Sequence, residues 1–285
     1  MKQGRESQTA VIVCMARASA DGAPSVEKFA DPTALALLPE SARARVLRFR
    51  AGTSNGIRER IANSLLRRRA NMMIARTVAI DDAVRGNACP QLVILGAGLD
   101  GRAWRMPELR DTLVFEVDHP DSQRAKRERV AAGALVPTAR EIRFVPVDFT
   151  RDDLEDALTA AGHDRASATC WIWEGVVMYL TQPEIEATLA VIERRSAAGS
   201  RLVVAYHSPT ALLALTGPYV RRLGEPLRSV FRADAMRALL TNYAFHIVRD
   251  DALPSIAAEL STDLGQATRG LKHLRIAIAD RVSPA

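Results

Sequence analysis

The chain reads as an α/β protein: a seven-stranded, mostly parallel sheet with helices on both faces and an N-terminal helical cap. Three observations predict it. From residue 91 onward, short runs dense in Val, Ile, Leu and aromatics alternate with helical stretches, a pattern that calls for right-handed βαβ crossovers. Two more strand-like runs close the sequence, separated by a polar and helical link containing Pro254. Residues 1–80 lack the alternation and read as helical.

The strand runs, in order, are LVILG (92–96), TLVFEVD (112–118), IRFVPVD (142–148), ATCWIWE (168–174) and RLVVAYH (201–207), followed by YAFHIVRD (243–250) and LKHLRIAIADR (271–281). Between the first five lie helical stretches such as DSQRAKRERVAAG, DDLEDALTAAG and PEIEATLAVIERRSAAG. Thr181 and Glu184 have capping-box spacing before the last of these, with Pro183 in its first turn and Gly199 beyond its end. The sheet domain is expected over residues 81–285 and the cap over 1–80. The stretch 208–230, broken by Gly and Pro, is a candidate lid over the carboxyl edge of the sheet.

A chain of 285 residues with 48% apolar and 25% charged residues can bury a substantial core. The net charge of +6 would suit a nucleic-acid partner. Basic and acidic residues are interspersed, however, and only 5% aromatics leaves few stacking platforms for bases. No nucleic-acid partner is expected, and an anionic small-molecule substrate explains the sign equally well. Cys14, Cys89 and Cys170 are isolated, so neither a disulfide framework nor a metal site is expected, and the cytoplasm is the expected compartment. The start, MKQGRESQTAVIVCMARASA, imitates a signal peptide, but its apolar stretch is short and Arg17 interrupts it, so a buried first helix is the better reading. Nothing approaches the ~20 apolar residues of a membrane span, and no membrane partner is expected.

The chemistry centres on QLVILGAGLDG (91–101), where Gly96, Gly98 and Gly101 have the spacing G-x-G-x-x-G. In an open parallel sheet ligands bind beyond the carboxyl ends of the strands, where strand order reverses, and glycines let the backbone approach them closely. Alone the spacing is weak, because tight strand-to-helix turns use glycine for packing as well. The next strand ends in Glu116 and Asp118, and a carboxylate there can accept both hydroxyls of a ribose. Asp100 separates two possible ligands. Inside the turn it would repel a pyrophosphate by about one to a few kcal/mol at an effective dielectric near 20, whereas a sulfonium and an ammonium would be welcome. The helix after Gly101 is cut short by Pro107, unlike the longer helix that follows a dinucleotide fingerprint. A NAD(P)-dependent oxidoreductase is therefore the alternative reading, and a non-catalytic cofactor-binding scaffold a second one.

At this point the sequence resembles the leucine carboxyl methyltransferase family of S-adenosylmethionine-dependent methyltransferases, and its bacterial small-molecule branch in particular. The likeness spans nearly the whole chain: SQTAVIVCMARASA and KFADPTALALL, NMMIARTVAIDD, VILGAGLDGRAWRM, FEVDHPDSQRAKRERV, VPVDF, WIWEGVVMYL and GSRLVVAYHSP follow in family order. The resemblance implies a class I methyltransferase (Rossmann-like) fold and S-adenosyl-L-methionine as cofactor, leaving S-adenosyl-L-homocysteine as product. It implies that Arg76 meets the methionyl carboxylate, that Gly96 and Gly98 let the main chain pass under the methionine portion, and that Asp118, with Glu116 behind it, binds the ribose. Asp148 and Phe149 would frame the adenine, and Glu174 would lie near the amino group or the methyl-transfer site. Arg105 matches the terminal arginine of the glycine motif, and could equally brace a helix. Two departures stand out. Gly101 replaces the family's usual threonine, and Tyr206 and His207 end the fifth strand where an acidic or different polar residue is expected.

Methyl transfer from a sulfonium is an in-line displacement, so alignment and exclusion of water dominate. A carboxylate acceptor is ionised at neutral pH and needs no general base. A hydroxyl acceptor needs one, for which His207 is the candidate, and Tyr179 is a candidate for orienting substrate. The expectation is an O-methyltransferase that methyl-esterifies a carboxylate on an anionic small molecule.

Overall fold

All seven strand runs join one sheet in the computed structural model, which describes residues 7–22, 26–54, 56–149, 151–210 and 227–282. The strands are β1 (Gln91–Leu95), β2 (Leu113–Asp118), β3 (Glu141–Pro146), β4 (Thr169–Trp173), β5 (Arg201–His207), β6 (Phe245–Ala252) and β7 (Leu274–Arg281). Their order is β3-β2-β1-β4-β5-β7-β6. The first five run parallel, and β7 is antiparallel to both β5 and β6. Consecutive strands therefore step outward from β1 in one direction as far as β3, and then from β4 to β6 in the other, with β7 returning between β5 and β6. The reversal lies between β1 and β4, where a crevice opens at the carboxyl edge.

The described helices are α1 (Gln8–Ala20), α2 (Glu40–Arg50), α3 (Ile57–Arg85), α4 (Arg102–Arg105), α5 (Pro120–Ala132), α6 (Leu154–Ala160), α7 (Gln182–Arg194), α8 (Ala233–Asn242), α9 (Leu253–Leu260) and α10 (Thr262–Thr268). Every residue of β1 and β4 is buried, as expected for central strands covered on both faces. Alternation divides them: Leu92 and Ile94 join one core with Ile74 and Val78 of α3, while Val93 and Leu95 join another with Ile185 and Leu189 of α7. The capping box forms as expected, with Glu184 accepting from the backbone N–H of Thr181 at 2.6 Å.

The domain boundary expected at residue 80 falls inside α3, which continues to Arg85. Its second half packs in the same core as the sheet, so cap and sheet share one interior. The N-terminal segment does form a buried helix: Cys14 to Ala20 of α1 are all buried. A smaller cluster, with Cys14, Leu37, Val46 and Leu99, ties α1 and α2 to the glycine turn. Most of the candidate lid, residues 211–226, lies outside the described residues. Among the described residues no helix is long and apolar enough to cross a membrane.

Candidate functional site

The glycine turn leaves β1 at the strand-order reversal, and its shape comes from two positive-φ glycines, Gly96 at +68° and Gly98 at +49°. A Cβ on Gly96 would stand 2.3 Å from Cγ2 of Val176, and one on Gly98 would stand 3.0 Å from Cβ of Ala10. Gly101 answers to a different demand. Its φ of −108° suits any residue, but a Cβ there would meet the Thr33 hydroxyl at 2.1 Å. The glycine that stands where the family usually has threonine thus accommodates the close approach of the N-terminal segment. As expected, α4 is short, with only four residues before Pro107 starts a 3-10 turn.

Beside the turn lies a cavity of about 370 Å³, within the range of small-molecule sites. Its wall combines Ile94, Gly96, Gly98 and Asp100 with Asp118 at the end of β2 and Glu174 and Val176 after β4. Arg76 of α3 and the Ser7–Arg17 side of α1 close it from the cap, while Tyr179, Glu184 and Arg228 form the far end. Of the sequence-derived candidates, Arg76, Gly96, Gly98, Asp118, Glu174 and Tyr179 are brought together here. The position of Asp118 follows from register, since it is the last residue of its strand, level with the turn. One of its carboxylate oxygens accepts from the Gly98 N–H and the other from the His119 N–H. Burial raises its carboxyl above the usual range, against those two hydrogen bonds.

Arg76 and Glu174 face each other, with Nε 2.6 Å from Oε1. Despite that distance, the Arg76 Nε–H is aimed elsewhere and makes no hydrogen bond. Glu174 also meets Arg102, Nη1 to Oε2 at 3.1 Å. Burial works against its charge, but Arg76 and Arg102 prevail and hold its carboxyl below the ordinary value. The pairs continue inward. Arg102 binds Asp81 of α3 through Nε at 2.8 Å, Arg105 binds Asp81 at 2.7 Å, and Arg17 binds Asp31 at 2.8 Å. Arg17 also donates to the carbonyl of Leu99 in the turn. Arg105 therefore braces α3. Nothing in the local sequence pattern marked Arg17 or Arg102, because their partners lie far along the chain or in the turn itself.

Four expectations need correction. The Asp100 carboxylate is not a free repulsive charge, because Arg102 pairs with it through side chain and backbone N–H. Glu116 lies behind Asp118 along the strand but away from the cavity wall. It sits two residues below the strand end, fully buried, with both oxygens held by Lys126 of α5 at 2.6 and 2.7 Å; Lys126 in turn lies 4.8 Å from the Trp104 ring centroid. Asp148 and Phe149 do not line the cavity. Asp148 comes within 3.9 Å of His119, and Phe149 packs toward the core on the α7 side. His207 also lies off the cavity wall, edge-on to His273 at 5.6 Å between ring centroids. Burial, His273 and Arg76 push its pKa down to about 4, far from the near-neutral value that favours a general base.

The amides of the turn are largely committed. Gly96 and Ala97 donate to the Val117 carbonyl, Asp100 donates to Ala97, and Gly98 and Arg102 donate to carboxylates. A pyrophosphate nest needs such N–H groups to be available. Here two backbone carbonyls and two carboxylates take them, which replaces the repulsion by Asp100 as the argument against a dinucleotide.

A family model described as leucine carboxyl methyltransferase matches residues 10–193, which takes in α1 through α7 and β1 through β4. A Mycolicibacterium gilvum protein named as a candidate S-adenosyl-L-methionine-dependent methyltransferase is 41% identical over 133 residues, 46% of this chain and 53% of the relative. A Mycolicibacterium smegmatis protein named in the same way is 43% identical over 140 residues, 48% of this chain and 45% of the relative. The chain spans about half the length of the curated relatives it matches. Among solved structures, magnesium protoporphyrin IX methyltransferase from Synechocystis PCC 6803 with bound SAH overlays with a TM-score of 0.48 at 14% identity, over 85% of this chain and 94% of that one. The family model covers well over half of the sequence and includes every cavity-lining residue except Ser7, Thr9 and Arg228. On that match, the chain belongs to the leucine carboxyl methyltransferase family of S-adenosyl-L-methionine-dependent methyltransferases.

Proposed function

We propose that this chain is an S-adenosyl-L-methionine-dependent O-methyltransferase that methyl-esterifies a carboxylate on a small molecule. The observation that carries the cofactor half is the facing pair Arg76 and Glu174 on the cavity wall. A guanidinium and a carboxylate side by side complement the carboxylate and ammonium of an amino-acid moiety. Asp118, whose oxygens meet only backbone N–H groups among the described residues, keeps lone pairs for the two hydroxyls of a ribose. Gly96 and Gly98 leave the floor of the cavity bare where a side chain would intrude.

When bound, the cofactor supplies an activated methyl group on sulfur. The chain's own residues then hold and align. Arg76 and Glu174 orient the amino-acid end, Asp118 fixes the ribose, and Tyr179 and Leu180 border the side from which an acceptor enters. Arg228 stands at that end. Among the described residues its ion-pair partner is Glu184, 4.0 Å away, which already receives the Thr181 backbone and hydroxyl. A half-exposed guanidinium with so weakly held a partner suits an anionic acceptor, which is ionised at neutral pH and needs no base. The place of His207 off the cavity wall, with its lowered pKa, favours the carboxylate reading.

Isothermal titration calorimetry with S-adenosylhomocysteine and NADH tests the cofactor. The proposal expects a saturable heat with the first and none with the second; the reverse would return the chain to the dinucleotide class. Mass spectrometry of a panel of carboxylic acids and phenols, read for a gain of one methylene, tests the acceptor.

A further inference from the structure

Charge is unevenly spread along the chain. Between residues 40 and 69 there are nine arginines and two glutamates, a balance of +7, while the whole chain carries +6. All other residues together therefore sum to −1, and the basic character of the protein belongs to α2 and the first half of α3. Residues of this hairpin do not line the cavity beside the glycine turn, so substrate attraction does not account for them.

The same stretch exposes its apolar residues. Ile57, Ile61 and Leu65 are 75%, 57% and 48% exposed, and their spacing of four puts them on one side of α3. Helical spacing places Arg68 along that side as well, with Arg58 and Arg69 on one flank and Arg60 and Arg67 on the other. All five guanidinium-bearing residues are exposed. Scattered surface leucines need no explanation, but an aligned apolar row framed by arginines is the pattern of a helix that lies in a lipid headgroup layer. Aliphatic groups enter the acyl boundary, and long arginine stems reach back to phosphates. A nucleic acid would use the charge but leave the aliphatic row in water.

We propose that the exposed side of the first half of α3 is a docking surface for anionic phospholipid bilayers, holding the protein peripherally. Among the described residues no helix could span a bilayer, and this peripheral docking departs from the expectation of no membrane partner. The inference is independent of the proposed chemistry.

The full chain is to be sedimented with vesicles of phosphatidylcholine, with and without phosphatidylglycerol. Binding is expected only to the anionic vesicles and should weaken as salt is raised. The double variant Ile61→Asp/Leu65→Asp should bind roughly tenfold more weakly or worse. Arg67→Gln/Arg69→Gln should lose about thirtyfold, as two basic contacts near an anionic surface are removed. Both act at exposed positions, and circular dichroism melts matching the parent would establish that they fold. Absence of binding to anionic vesicles at low salt overturns the proposal. So does binding that both variants retain, or tighter binding to a duplex DNA probe than to the vesicles. Self-association abolished by Ile61→Asp/Leu65→Asp without lipid binding also overturns it, by assigning the row to a second copy of the chain.

Discussion

Arg102 joins the glycine turn to the end of β4: its guanidinium pairs with Asp100, two residues before it, and places Nη1 3.1 Å from Oε2 of Glu174. Through Nε it also holds Asp81 on α3, so one side chain, 2% exposed, serves three carboxylates. Removing it strips Asp100 of its paired guanidinium and leaves Asp81 to Arg105 and Glu174 to Arg76 alone. Arg102→Met is expected to cost about 3–5 kcal/mol of folding stability, read as a lowered urea midpoint. Arg102→Lys should rescue little of this, because a single ammonium cannot reproduce the fork that reaches all three partners.

The close approach of Thr33 to Gly101 gives a cycle that a local account of the turn would not anticipate. Gly101→Ala is expected to cost about 1–3 kcal/mol as an overpacking change. Its φ is ordinary, so the penalty comes from the Thr33 hydroxyl at 2.1 Å from the new methyl. In a Thr33→Ala background the same substitution should cost about 1 kcal/mol less. Equal penalties in both backgrounds, measured by denaturant unfolding, would show that the N-terminal segment does not press on the turn.

Asp118→Asn keeps the shape of the ribose site but weakens acceptance of hydroxyl protons and of the Gly98 N–H. Affinity for S-adenosylhomocysteine should fall by about ten- to a hundredfold, the scale of a hydrogen bond to a charged group, with little change in melting temperature. Burial raises the carboxyl of Asp118, so in the parent protein affinity should begin to fall on acidification at a higher pH than for an ordinary aspartate. Calorimetric titrations across that range check both statements.

His163 carries an acid-sensitive share of stability. Its ring accepts from Arg195 on one nitrogen and meets Thr169 on the other, and burial together with Arg195 pushes its pKa down from 6.5 to about 4. The unfolded chain then binds the proton first. Stability from this group is whole above about 6.5 and is lost as pH falls toward about 4, amounting to about 3 kcal/mol. His207, lowered in the same direction, adds to the loss. Urea unfolding of His163→Gln should show a flatter decline over this interval than the parent; an unchanged slope would remove His163 as its source.

The strands were legible because β-branched and aromatic runs separated by helical stretches leave few ways to build a sheet. Asp118 was legible where such a run stops at the carboxyl edge, while Glu174 came with the family resemblance; both stand on the cavity wall. The depth of Glu116 was not legible, because alternation gives the face and not the depth. It shares a side with Asp118 but lies one pleat lower, inside the layer, where Lys126 holds both its oxygens. Asp100 was read as a lone charge because its neutralising partner, Arg102, belongs to a network completed by Asp81 and Glu174. Arg17 could not be found from spacing, since what places it in the site is the docking of α1 onto Leu99, 82 residues away. His207 was correctly put at a strand end, but the sequence does not show that His273 and Arg76 crowd it.

The contact of α1 with the turn also bears on engineering. A chimera that exchanges the N-terminal helices between relatives would be exchanging part of the receptor wall, and it would meet a loop shaped for a different neighbour. Retargeting by segment swapping should therefore move α1, Thr33 and the residues from Gly96 to Gly101 together, as one inheritable block.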